Sequence, residues 1–217
     1  MNLDGAGLYD AGAAVLAPGL ESLVLLESLI LCRNHIGTRG IVALSPSLSK
    51  LNALQHLWFG NEQRCLAEDS YQGWAAEGVE ALTKAIEQLR QLRTLELSET
   101  WSAAYLCAEE YRATSEGQIR AGHVPGPTMH SRTRAPRRFC LALRHLTQLE
   151  GLGLRGTGLA FQSCNSLVLD FFCQSLAFLP RLTALDMHGN GVTEETLRCH
   201  PVLGPRLCAP MALPIRR

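Results

Sequence analysis

Lysine is nearly missing from this chain: Lys50 and Lys84 are the only two. Neither follows a glycine in a GxxxxGKS or GxxxxGKT run, so the phosphate-cradling loop of nucleotide-binding enzymes is absent. The metalloprotease motif HExxH, the nucleophile elbow GxSxG and the kinase signatures are absent as well. Aromatic residues make up 6% of the sequence, charged residues 18%, and the formal net charge is zero. A neutral chain has no global field to draw it to nucleic acid or to an acidic membrane. The apolar runs, such as Leu23 to Leu26, fall far short of the ~18 residues a membrane helix needs. The start, MNLDGAGLYD, lacks the basic residues and apolar run of a secretory signal.

No CxxC pair occurs among the eight cysteines. Scattered cysteines, with Cys32 and Cys140 in apolar-periodic stretches, read as buried reduced thiols of a cytoplasmic protein, with the nucleus as the alternative compartment. Cys107, His123, His130 and Cys140 carry the side chains that bind zinc, but their spacings of 16, 7 and 10 match no common finger. Cys199, His200 and Cys208 fare no better. No metal, no cofactor and no enzymatic activity are expected.

What the sequence does have is leucine at fixed intervals. Residues 26–34, LESLILCRN, place Leu26, Leu29, Leu31 and Asn34 in the spacing LxxLxLxxN. The frame returns at Leu54, Leu57, Phe59; at Leu92, Leu95, Leu97, Thr100; at Leu149, Leu152, Leu154, Thr157; and at Leu182, Leu185, Met187, Asn190. Alternating side chains in the LxL segment suit a short strand with one face inward. The closing Asn or Thr turns the chain and can satisfy backbone groups left free by the turn. After the first closer, Ile36, Gly40, Leu44, Leu48 and Leu51 follow at helical spacing. Each unit is thus a strand, a turn and a helix, and no unit can bury its apolar face without a neighbour.

This frame is the leucine-rich-repeat signature, and the strand–helix unit resembles the ribonuclease-inhibitor-like class. The resemblance covers roughly residues 6–197 without the insertions. It implies an α/β fold: a short horseshoe-shaped solenoid with parallel strands on the concave side and helices on the convex side. Ran GTPase-activating proteins share the class, so a GTPase regulator is one alternative function; a truncated repeat fragment without independent function is another. The second frame departs from the pattern, with Asn61 one place early and Glu62 in the closing position.

Successive frames start 28, 38, 57 and 33 residues apart, so about 10, 29 and 5 residues are inserted beyond a 28-residue unit. Upstream, residues 7–23 align with 35–51, with Gly12 on Gly40, Leu16 on Leu44 and Pro18 on Pro46. This reads as the back half of a unit whose strand is missing. Proline in a helix interior costs about 3 kcal/mol, so the helices carrying Pro18 and Pro46 should be short or broken. The largest break, 101–136, starts with aromatics and acids and ends as GHVPGPTMHSRTRAPRR, a mobile loop by composition. Residues 118–148 carry six arginines and no acid; residues 62–117 carry eleven acids and five bases. The expected organisation is a repeat domain over 1–198 and an irregular, proline-containing tail over 199–217.

The outward strand positions define a candidate binding surface for a protein partner: Ile30, Cys32, His56, Trp58, Glu96, Arg155, Asp186 and His188. Trp58 leads this set, because tryptophan is the side chain that most often dominates interfaces. Frame position makes Ile30 and Glu96 its expected neighbours across the sheet. A second fate for Trp58 is cover by the 101–136 segment.

Overall fold

The computed structural model describes residues 1–60, 73–101, 134–157, 166–190 and 215–216. Its elements alternate: α1 (Tyr9–Leu20), β1 (Ser28–Ile30), α2 (Thr38–Leu48), β2 (His56–Trp58), α3 (Ala76–Ile86), β3 (Thr94–Glu96), α4 (Arg134–Leu143), β4 (Gly151–Gly153), α5 (Ser166–Leu176), β5 (Ala184–Asp186) and β6 (Ile215–Arg216). The strands form one open sheet in chain order, and every pairing is parallel. The fold is α/β, with the helices between successive strands. The expected parallel order holds throughout.

The central leucine of each frame lands in one row: Leu29, Leu57, Leu95, Leu152 and Leu185 are register partners across the sheet and all are buried. Residues on either side point the other way, as strand alternation requires. Each helix packs on the next. Small residues permit the approach. At Gly40 a Cβ would stand 2.7 Å from Asp10 Oδ1 and 3.1 Å from Ala13 Cβ, and at Gly78 it would stand 2.8 Å from Ile41 Cγ2.

Two ladders of side chains tie each unit to its predecessor. The first runs through the closing residues. Asn34 Nδ2 donates to Leu3 O (2.8 Å) and Cys32 O (3.0 Å), and Asn34 Oδ1 accepts from Leu8 N. Asn190 Nδ2 donates to Leu154 O (2.7 Å) in the preceding unit and to Met187 O in its own, while its Oδ1 lies 3.1 Å from Thr157 Oγ1. Thr100 and Thr157 donate back to Leu97 O and Leu154 O. The second ladder caps helices from the neighbouring unit. Asp10 Oδ1 accepts from Gly37 N (2.7 Å) and Gly40 N (2.9 Å) at the start of α2. Thr38, 28 positions on, accepts from Ala75 N (2.8 Å) at the start of α3. Both satisfy helix-end amides that have no partner inside their own helix.

Several expectations need correction. The strand before α1 is not wholly missing: Asn2 bridges to Ile30 in parallel, and Leu3 N donates to Ile30 O. Helices α1 and α2 run through Pro18 and Pro46. Each proline sits in the last turn, and each helix ends two residues beyond it. Glu80 of α3 lies 3.5 Å from Arg134 and 3.6 Å from Arg138 of α4. Most of 101–136, including the expected mobile loop and its fold-over onto Trp58, lies outside the described residues. The described part belongs to the core: Trp101 is buried, and α4 begins at Arg134 with Ala135 and Pro136 buried. The arginine-rich stretch therefore contributes packing, with Arg137 4.4 Å from the Phe171 ring and Arg144 4.8 Å from the Phe178 ring. The tail lies outside the described residues except Ile215–Arg216, which pairs with β5. So do Asn61 and Glu62.

Asn34→Ala is expected to lower the unfolding free energy by about 2–4 kcal/mol, because buried backbone groups left without a partner cost about 1–3 kcal/mol each. Urea unfolding checks this beside Thr147→Ala, an exposed site where a change of under ~0.5 kcal/mol is expected.

Candidate functional site

Opposite the helices the sheet shows its second face. Its central row is Ile30–Trp58–Glu96–Gly153–Asp186–Arg216, each residue the register partner of the next. Trp58 has the neighbours that frame position predicts, Ile30 and Glu96. It is 38% exposed, whereas Trp74 is 1% and Trp101 3% exposed. Trp74 donates its Nε1–H to Ile36 O (2.8 Å) and meets Phe59 edge-on; Trp101 meets Phe139 edge-on. Two tryptophans thus belong to the core and one to the surface.

Trp58 is held in place. Its Nε1–H donates to Thr94 Oγ1 (2.8 Å), which also lies 2.8 Å from His56 Nδ1. The indole therefore reaches over β3 instead of standing free. Thr94 belongs to the outward strand positions, yet its role as the post for Trp58 and His56 is not visible in the frame. The one available signal is that His56 and Thr94 are register partners.

Glu96 leans in the same direction. Its Oε1 accepts from Ser98 N (2.7 Å), and a Cβ placed at Gly153 would lie 1.8 Å from Glu96 Oε2. Its carboxylate thus occupies the space a side chain would take on β4. Asp186 repeats the arrangement, its Oδ1 accepting from His188 N (3.0 Å). Among the described residues neither carboxylate is ion-paired with a base. Between them the floor is bare backbone at Gly151, with Gly153 buried under the Glu96 carboxylate. The result is a groove of about 320 Å³, with Trp58 and Thr94 on one wall, Glu96 over the floor, and Ala184 and Asp186 on the other wall.

The predicted surface residues divide accordingly. Trp58, Glu96 and Asp186 come together in the groove. Ile30 adjoins Trp58 on the side away from it, and His56 stands behind Thr94. Cys32, Arg155 and His188 follow the strands and do not line the groove. Cys32 is half-buried, Arg155 lies 3.6 Å from Glu99 Oε1, and His188 is exposed. Ser98, an outward position by frame, is buried, its Oγ accepting from Arg155 N (3.1 Å).

No group of three or more His, Cys, Asp or Glu residues is arranged to hold a metal among the described residues. Nor is any helix among them long and apolar enough to cross a membrane. Cys140 and Cys173 are free thiols. Burial pushes the Cys140 thiol well above the usual range and Cys173 up to about 12.

No known family profile matches the chain, and no curated protein matches it. Among solved structures, leiomodin-1 actin-binding site 2 superposes with a TM-score of 0.47 at 11% identity, over 81% of this chain and 79% of that one. A likeness of that depth carries neither a fold family nor a partner across.

The thiol environments predict an order of reaction. A raised pKa leaves less thiolate, the reactive form, at a given pH. With iodoacetamide at pH 8, Cys140 and Cys173 should stay unlabelled in the native protein and react only after unfolding. Peptide mass mapping of quenched samples checks this; native labelling of Cys140 as fast as in the unfolded chain would contradict it.

Proposed function

We propose that the chain is a leucine-rich-repeat solenoid of the ribonuclease-inhibitor-like class and works as a non-catalytic protein-interaction module. Its binding surface is the sheet face opposite the helices, the concave face of such a solenoid. The repeat assignment rests on the five frames and on the buried leucine row they form. The observation that carries the functional reading is Trp58. The core uses Trp74 and Trp101 fully, whereas Trp58 is more than one-third exposed and fixed by a hydrogen bond on an open face. A rigid, amphipathic aromatic of this kind is the usual centre of an interface. The module acts in the cytoplasm in this reading.

The test is quantitative capture of proteins from a cytoplasmic extract on wild type, Trp58→Ala and Val15→Ala, Val15 being an exposed residue of α1. Removing a central tryptophan typically costs at least ~2 kcal/mol of binding, roughly thirtyfold in affinity. Trp58→Ala should therefore deplete a specific captured protein that wild type and Val15→Ala both retain. Its unfolding free energy should fall far less than that of Trp74→Ala, for which burial predicts a loss of about 3–5 kcal/mol. Equal capture by all three proteins would sink the proposal.

A further inference from the structure

The groove over β4 has a chemical character more specific than an interaction face. β3, with outward Thr94 and Glu96, and β5, with outward Ala184 and Asp186, flank a strand that has no outward side chain, since β4 is Gly151–Leu152–Gly153 with Leu152 buried. Side chains from one side lean into the gap: the Trp58 indole reaches across to Thr94, and the Glu96 carboxylate reaches over Gly153. The lean brings the aromatic to within about one strand spacing, ~4.8 Å, of the glycine strand, and Asp186 on β5 is one such spacing away on the far side. Each acid spends one oxygen on the amide two residues along its own strand, Ser98 N for Glu96 and His188 N for Asp186. The remaining oxygens have no described base. Nearby arginines are committed elsewhere: Arg93 lies 3.4 Å from Glu150 and Arg155 3.6 Å from Glu99. Arg216 holds the next row position beyond Asp186.

We propose that this groove takes an arginine side chain from an extended segment of a partner protein, its guanidinium face on the Trp58 indole and its N–H edges on the Glu96 and Asp186 carboxylates. Arginine fits better than lysine because its planar head can stack on an aromatic face and still present several donors sideways. Bare backbone at Gly151, beside the Gly153 that Glu96 covers, lets the partner's main chain approach closely. The inference rests on the reading of this face as an interaction surface, and it adds the chemistry of the partner.

The probe is an acetylated, amidated glycine peptide carrying one central arginine, titrated into the isotope-labelled chain while the Trp58 indole N–H resonance is followed. The same peptide with lysine or with citrulline, the neutral isostere of arginine, serves for comparison. The arginine peptide should move the Trp58 indole and the Gly151 and Gly153 amides, and its affinity should fall with added salt. Citrulline should bind about tenfold more weakly or worse, since charge-assisted hydrogen bonds are roughly twice as strong as neutral ones. Glu96→Gln and Asp186→Asn should each weaken arginine binding by about tenfold, the loss of one charged hydrogen bond, without changing the melting temperature. Gly153→Ala should weaken it too, because a Cβ there displaces the Glu96 carboxylate while leaving every charge in place.

Equal binding of the arginine and citrulline peptides, or undiminished arginine binding by the Glu96→Gln/Asp186→Asn double variant, would overturn the proposal. The two readings fail separately. If no peptide moves Trp58 while Trp58→Ala still abolishes protein capture, the arginine pocket is wrong and the interaction face stands. If peptide binding follows the predicted order while capture ignores Trp58, the pocket stands and the broader interface is wrong.

Discussion

The buried closing residues Asn34, Thr100, Thr157 and Asn190 are the constraint on which the rest of the described structure depends. A three-residue strand cannot hold its own register, and the turn after it leaves backbone groups buried and unpaired. Asn34 and Asn190 settle both problems at once, each donating to a carbonyl in its own unit and to one in the unit before. Buried polar groups are tolerated when every partner is supplied, and here the partners lie in different units. The strands are therefore locked at one offset, and the leucine row follows. The residue before each described closer accepts the cost of this tight turn. Arg33, Glu99, Gly156 and Gly189 all have positive φ, a conformation that glycine adopts freely and that Arg33 and Glu99 adopt under strain.

Units of unequal length share the same register because the extra residues leave and rejoin at fixed points. Trp74 rejoins after the second frame's insertion, donating its indole N–H to Ile36 O and pairing with Trp101 in an isolated bridge. Gly73 beside it has positive φ, and a Cβ there would strike Thr100 O at 2.8 Å. Trp101 plays the matching part for the next unit, against Phe139. Large aromatics thus fill the space where a short unit would have placed its own turn. The arginines of α4 complete the junctions, reaching Glu80 of α3 on one side and Phe171 and Phe178 on the other.

The groove is a consequence of the same register. Because the offset is fixed, residues from four strands, Trp58, Glu96, Gly153 and Asp186, fall in one row. The row alone would be a flat strip of alternating character. It becomes a recess because one strand lacks side chains and its neighbours lean into the gap, and each lean is fixed by a hydrogen bond. Such preorganisation lowers the ordering cost that a partner would otherwise meet on binding.

Most of the architecture was legible in the residues themselves. Leucine at LxxLxL spacing implies alternating burial, and a frame repeated at one offset implies parallel strands in chain order; both rest on periodicity, a local property. Trp58 on the open face, beside Ile30 and Glu96, came from the same frame. What the sequence could not determine depends on residues far apart in the chain. The half-present strand at Asn2 exists only because Ile30 offers it partners, and α1 and α2 run past Pro18 and Pro46 while packed on one another. Trp101 and Arg134–Pro136 read as part of a break until Phe139 and the neighbouring helices enclose them. Thr94 became a site residue only when β2 and β3 came together and the Trp58 and His56 rings converged on its hydroxyl. Frame position thus determined which side each residue faces, whereas tertiary structure decided which side chains lean, which atoms they meet and where a recess opens, because those depend on space that only neighbouring strands define.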